Sequence, residues 1–183
     1  MTTRFLLQMA GAPGAGKSTL ARAIGAACDA IVLDNDVIRS AILDAQIPAS
    51  QAGRAAYEVL FAVAVDLLTQ GRSVILDSPC HFQSILDRGM EIAQANGASY
   101  RFIECVCRER REIERRLTTR APLRSQMRGL DRPPVDIAGV PSATNRTAVH
   151  RWETFRPRAG ALTLDTSAPL ASYLPAALAY LES

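Results

Sequence analysis

The run Gly11-Ala12-Pro13-Gly14-Ala15-Gly16-Lys17-Ser18 fits the spacing G-x-x-x-x-G-K-[ST]. It lies between the apolar stretch Phe5–Met9 and a helical pattern from Ser18 to Cys28, the strand–loop–helix setting that such a loop requires. Gly11, Gly14 and Gly16 let the backbone turn tightly and point successive N–H groups inward. Those groups, with the positive end of the following helix, hold phosphate oxygens. Lys17 is suited to reach the β- and γ-phosphates as a flexible point charge, Ser18 offers a hydroxyl to Mg²⁺, and Thr19 lines the α-phosphate. The expected nucleotide-binding segment is therefore Gly11, Ala12, Pro13, Gly14, Ala15, Gly16, Lys17, Ser18 and Thr19. Of the 21 basic residues, 20 are Arg and the single Lys occupies this slot, which a chance glycine turn would not explain.

Other chemically capable residues follow apolar runs. Asp36 and Arg39 stand one helical turn apart after Ile31-Val32-Leu33, so both face one side. Asp34, Asn35 and Asp36 also suit a helix start. Asp77 ends Val74-Ile75-Leu76, where a carboxylate can hold Mg²⁺ directly or through water, or cap the next helix. Residues 108–132 hold nine Arg against Glu109, Glu112, Glu114 and Asp131, a local net charge of +5 in a chain of +3. Within them Arg116, Arg120, Arg124, Arg128 and Arg132 recur every four residues. Arg108 to Arg115 reads as a solvated helix face with pairs such as Glu112–Arg116. The later arginines fall in a loop, where they could close over a nucleotide, neutralise a phosphoryl group in transfer and exclude water. His81 and His150 are single histidines outside any recognisable motif, and Trp152 and Phe155 read as packing residues. Cys28, Cys80, Cys105 and Cys107 read as buried thiols, with no Cys/His quartet at zinc spacing.

The elements that must position these residues alternate. Strands are expected at Phe5–Met9, Ile31–Leu33, Val74–Leu76, Tyr100–Cys107 and Leu162–Leu164. Helices are expected at Ser18–Cys28, Asp36–Leu43, a stripe from Val59 to Leu68 ended by Gly71, His81–Asn96, Glu109–Arg120 and Leu170–Leu181, the last with Pro175 as a possible kink point. Ala121 to Thr147 carries four prolines and no period, hence a long loop. Alternation on this scale means βαβ units and a parallel sheet covered on both faces, with ligands at the carboxyl ends of the strands.

With 183 residues, 48% apolar and 21% charged, the chain has the composition of one globular domain and is not disordered. It holds no apolar run long enough for a membrane span, and Phe5-Leu6-Leu7 is too short for a signal peptide, so a cytoplasmic location is expected. Guanine-nucleotide switches are disfavoured. Asp77-Ser78-Pro79-Cys80 lacks the Gly of Asp-x-x-Gly, and Asn145-Arg146-Thr147-Ala148 lacks the Lys and Asp of Asn-Lys-x-Asp. A large ring ATPase needs a longer chain.

The set GAPGAGKST, Asp36-x-x-Arg39, VILDSP, Arg116-x-x-x-Arg120 and Leu164-Asp165-Thr166-Ser167 resembles the P-loop kinases that include polynucleotide 5′-hydroxyl kinase, zeta-toxin and chloramphenicol phosphotransferase, and many small AAA family ATP-binding proteins. The resemblance covers nearly the whole chain. It implies a three-layer α/β P-loop fold, a five-stranded parallel sheet in order 2-3-1-4-5 with helices on both faces, and an Arg-rich lid at about 116–147 within one domain over 1–183. It further implies an ATP- and Mg²⁺-dependent kinase that transfers the γ-phosphoryl group to a hydroxyl. Asp36 would then be the base, with Asp34 as the alternative, and Arg39 would contact acceptor or γ-phosphate. Arg116 and Arg120 would act on the transferring group, and Ser18 and Asp77 would attend the metal, so that Lys17, Asp36, Arg39, Arg116 and Arg120 form the catalytic set. Cys80 departs from the Asp-x-x-Asn that such kinases often carry after the third strand. Thr166 and Ser167 would lie near the adenine. With 5% aromatics and the Arg cluster engaged over ATP, a small-molecule or nucleotide acceptor is expected ahead of a polynucleotide. An accessory NTPase without an acceptor is the alternative of another class.

Overall fold

β1 (Phe5–Ala10) is buried along its whole length and forms the centre of the sheet. The computed structural model describes residues 4–137 and 154–183. Around β1, β2 (Ile31–Asp34), β3 (Val74–Asp77), β4 (Ser99–Val106) and β5 (Ala161–Asp165) complete a five-stranded parallel sheet in the order β2-β3-β1-β4-β5. This is the expected order. The register sets Asp34 beside Asp77 at the carboxyl ends of β2 and β3, so two carboxylates start life on one edge of the cleft.

Alternation along β1 divides the core. Phe5, Leu7 and Met9 meet α1 (Lys17–Cys28) and α6 (Leu170–Glu182) through Leu20, Ile24, Tyr173 and Ala177. Leu6 and Ala10 meet α3 (Ala49–Thr69) and α4 (Gln83–Ala95) through Leu60, Ala64, Leu68 and Ile92. Full burial of each large aliphatic side chain contributes roughly 1.5–3 kcal/mol. α2 (Asn35–Asp44) packs on α3, and α5 (Arg110–Thr119) follows β4.

Gln8 is the polar exception within β1, fully buried on the α3/α4 face. Its amide donates to Cys80 Sγ at 3.3 Å and the Ile85 carbonyl at 3.1 Å, and its carbonyl accepts from the Tyr100 hydroxyl at 2.7 Å. All its main groups are thus partnered, as burial demands. Gly89 of α4 makes room for it: a Cβ there would stand 2.2 Å from Gln8 Oε1.

Two boundaries differ from expectation by more than one residue. α3 begins ten residues before Val59, because Ala52 and Ala56 extend the buried row Leu60, Ala64, Leu68 with small side chains. α4 begins at Gln83 and not at His81, because Pro79 and Cys80, the latter at φ 52, keep the chain out of helical geometry and leave His81 in a loop. α6 runs from Leu170 to Glu182 with Pro175 inside it. Residues 120–137 contain the short bridge Gly129–Arg132 and a 3₁₀ turn, Val135–Ile137. The remainder of the expected lid, with Pro141 and Asn145, and also His150 and Trp152, lies outside the described residues. Among the described residues no helix is long and apolar enough to cross a membrane.

Candidate active site

A cavity of about 800 Å³ opens at the carboxyl ends of the strands and is lined by the phosphate-binding loop, the start of α2, the β3–α4 loop, α5, the 125–127 segment and the β5–α6 loop. The loop after β1 is shaped by its glycines. A Cβ on Gly11, at φ 133, would stand 2.3 Å from the Cys105 carbonyl, and Gly16, at φ 83, forms the start of α1. No side chain caps α1, so the first N–H groups of the helix remain free for anionic oxygens. Lys17 folds back, donating to the carbonyls of Gly11 at 2.8 Å and Ala12 at 3.0 Å. Of the expected nucleotide segment, Pro13, Gly14, Gly16, Lys17, Ser18 and Thr19 line the cavity. Gly11 and Ala12 stand behind it as partners of Lys17, and Ala15 is buried, its carbonyl accepting from Thr166 Oγ1 at 2.7 Å.

Asp77 is buried at 4% exposure, and its Oδ2 has no partner. Burial pushes its carboxyl up to about 6, against the opposing pull of the Lys17 ammonium and the Ser18 hydroxyl. An orphaned buried carboxylate oxygen beside the serine of a phosphate-binding loop fits a Mg²⁺ that takes its other ligands from phosphate and water.

Asp34 and Asp36 have separate roles. Asp34 caps α2, accepting from the N–H of Asp36 at 2.9 Å and of Val37 at 3.3 Å, and pairs with Arg22 at 3.3 Å. Burial, and then the neighbouring Asp36, raise its carboxyl above the ordinary range. Asp36 lines the cavity, and its Oδ2 accepts from Gln126 Nε2 at 3.0 Å. Ser125, whose hydroxyl donates to the Asp36 carbonyl at 3.0 Å, is locked by Ser40, which accepts from the Ser125 N–H at 3.0 Å. Arg39, one turn on, also lines the cavity, its guanidinium beside Gly53 of α3. Arg120 lines it too, donating to the Met127 carbonyl at 3.0 Å. Burial lowers its pKa, and Asp36 and Asp34 oppose that.

Arg116 is engaged more fully. Its Nη2 donates to the Thr166 carbonyl at 2.6 Å, its Nη1 to the Gly14 carbonyl at 3.3 Å and its Nε to Glu112 at 2.8 Å. Bonds from Arg115 and then Arg116 hold Glu112 down to about 2. The arginine thus braces the phosphate-binding loop against the β5–α6 loop. The four-residue arginine period does not share one task. Arg124 binds Asp136 through two bonds of 2.9 and 2.8 Å and also reaches Asp44, and Arg132 pairs with Glu114 at 3.0 Å, so only Arg116 and Arg120 of the five line the cavity.

Ser125 and Gln126 carried no sequence signal, because a loop without period offers none. Thr166 is fully buried, Ser167 lines the cavity with Pro169 and Tyr173, and His81 also lines it. The expected residues Lys17, Ser18, Asp36, Arg39, Asp77, Arg116 and Arg120 are brought together around this one space.

Solved structures with the same fold include an APS kinase of Mycobacterium tuberculosis in complex with AMPPNP and APS, with a TM-score of 0.69, 21% identity and full coverage of both chains. A gluconokinase from Sinorhizobium meliloti aligns at TM-score 0.61 and 20% identity over 98% of this chain and 92% of its own. A sugar kinase from Janibacter aligns at 0.63 and 16% over 98% and 94%. No curated protein sequence matches the chain. Residues 6–131 match the family model described as an AAA domain, and with well over half its length inside that match the chain belongs to the AAA domain family.

Proposed function

We propose that the protein is an ATP- and Mg²⁺-dependent kinase that transfers the γ-phosphoryl group of ATP to a hydroxyl of a small molecule or nucleotide. The observation that carries this reading is the shared cavity: the phosphate-binding loop and the Asp36/Arg39 pair face the same space. A stand-alone NTPase has no use for a carboxylate and a cation arranged beside the nucleotide in this way. The volume suits a nucleotide with a compact acceptor.

The loop N–H groups and Lys17 hold the phosphates, Lys17 leaving its two carbonyl partners to do so. Asp36 orients the acceptor hydroxyl and takes its proton as the bond to phosphorus forms, while Gln126 fixes the carboxylate. Asp34 is occupied as a helix cap, which favours Asp36 as the base. Arg120, close enough to Asp36 to feel its charge, is suited to the negative charge that develops on the transferring group. Ser18 and Asp77 would hold Mg²⁺, which supplies charge neutralisation on the phosphates when bound. The APS kinase and gluconokinase of similar fold act on small acceptors, which agrees with this reading.

The test is a transfer screen with γ-³²P-ATP over nucleosides, sugars and sugar acids, aminoglycosides and 5′-hydroxyl oligonucleotides. Labelled product from one class, lost in Asp36→Asn, is the expected result. ATP hydrolysis with no labelled product in any class would favour the accessory NTPase.

A further inference from the structure

We propose that Asn35 and Ser78 accept hydrogen bonds from the water that Mg²⁺ keeps in this cavity, and so position the metal without touching it. The proposal rests on the ATP- and Mg²⁺-dependent reading and deepens its metal site. The sheet register sets Asp34 beside Asp77, and Asn35 and Ser78 are the next residue after each. Both line the cavity, at 5% and 2% exposure. Asn35 makes no side-chain hydrogen bond with any described residue, and its Oδ1 is buried without a partner. Ser78 Oγ is likewise buried without a bond of normal length and angle. The Tyr57 hydroxyl is close to it, and the Ser78 proton can turn that way, which leaves the serine lone pairs for the cavity.

With Asp77 Oδ2, these make three buried oxygens on two neighbouring strand ends that need a donor. ATP does not supply one, because its phosphate oxygens only accept. The nearby protein donors are spent elsewhere: Arg22 on Asp34, Gln126 on Asp36, and Lys17 on the phosphates in the proposed mechanism. The reacting hydroxyl of the acceptor belongs to Asp36. Water on Mg²⁺ does supply donors. The ion dehydrates reluctantly and keeps several waters where the protein offers it few ligands, and its charge makes each of them a strong donor. Asp77 is close enough to the Ser18 hydroxyl and the Lys17 charge to respond to both, so those waters would stand where the three oxygens are. Partners that hold a metal's own ligands fix their orientation and tighten the metal.

The test is calorimetric titration of the whole chain with AMPPNP, first in EDTA and then over a series of Mg²⁺ concentrations. The Mg²⁺ concentration at half of the affinity gain is the readout. Asn35→Ala and Ser78→Ala should each raise it about tenfold, while affinity in EDTA stays within about twofold of the parent. Asn35→Asp keeps an acceptor oxygen and should recover the parent's Mg²⁺ response. The nucleotide-free unfolding temperature of Asn35→Ala should stay within about 3 °C of the parent or rise, because the oxygen it removes has no partner there. An Mg²⁺ midpoint within twofold of the parent in both alanine variants overturns the proposal. So does an equal loss of AMPPNP affinity with and without Mg²⁺, which would make the two residues nucleotide contacts. If Mg²⁺ leaves the parent's AMPPNP affinity unchanged, the metal site falls and this proposal with it, and the transfer screen still judges the kinase reading separately. Should Asn35→Ala fail to fold, Ser78→Ala and Asn35→Asp carry the same comparison.

Discussion

The two ends of the cavity are built on different plans. At the nucleotide end the polar groups are mostly backbone, and each cation already has partners: Lys17 on two loop carbonyls, Arg116 on Gly14, Thr166 and Glu112. At the acceptor end the groups are side chains contributed from distant segments, and Arg39 makes no hydrogen bond or ion pair with any described residue. A backbone site recognises what all nucleoside triphosphates share, whereas a side-chain site changes with single substitutions. The first end sets the class of chemistry and the second sets the acceptor.

Breaking the nucleotide end should have the largest effect. Lys17→Ala should abolish ATP turnover, with circular dichroism and unfolding temperature near those of the parent; unchanged turnover would remove the phosphate-binding assignment. Breaking the acceptor end alone should separate the two. Asp36→Asn should lose transfer by ~10²–10⁴ while AMPPNP affinity stays within about twofold, read by transfer assay and calorimetric titration. Full transfer in that variant would shift the base to Asp34.

Asp77 lies at the boundary and responds to pH. Its folded carboxyl titrates near 6, above the unfolded value of 3.8. The folded state therefore binds the proton more tightly, and this group's favourable contribution is present below about 4 and is lost as pH rises through 6. Asp77→Asn should raise the stability of the nucleotide-free protein at pH 7.5 by about 1–3 kcal/mol. It should also flatten its denaturation profile between pH 4 and 6 and remove the Mg²⁺ dependence of nucleotide affinity. A variant less stable than the parent at pH 7.5 would contradict this.

Arg116 and Arg120 sharpen the contrast further. As lid charges both would be expected to lower kcat more than ATP affinity. The bonds of Arg116 to Gly14 and Thr166 instead predict about a tenfold loss of ATP affinity in Arg116→Ala with the smaller change in kcat, and the reverse split in Arg120→Ala. Identical splits in both variants would erase the distinction. The smallest effect is expected from Gln126→Leu, a fall of roughly threefold to tenfold in transfer with nucleotide affinity unaltered.

The sheet and its ligand edge were legible in the sequence because β-branched runs, helical stripes and a phosphate-binding loop all demand the same topology. Asp36, Arg39 and Asp77 were legible because each ends or follows a strand. The start of α3 was not, since Ala52 and Ala56 keep its row without looking apolar enough to show a period. Nor were Ser125 and Gln126, whose importance comes from Ser40 and Asp36, partners 85 and 90 residues away. The arginine spacing from 116 to 132 suggested one function, but helix geometry ends after Thr119, and beyond it a four-residue interval no longer means a shared face.

The pairing of Gln8 with Gly89 bears on how this chain can change over generations. A methyl group at position 89 collides with the Gln8 side chain, yet Gln8 also bonds Cys80, which follows the Asp77-Ser78-Pro79 segment of the cleft. Gly89→Ala should therefore be deleterious alone and tolerated only after position 8 has shortened, whereas the opposite order leaves a viable intermediate with a small void. Drift at this spot has a permitted sequence of steps, and a helix position remote from the nucleotide is tied by it to the geometry of the β3–α4 turn.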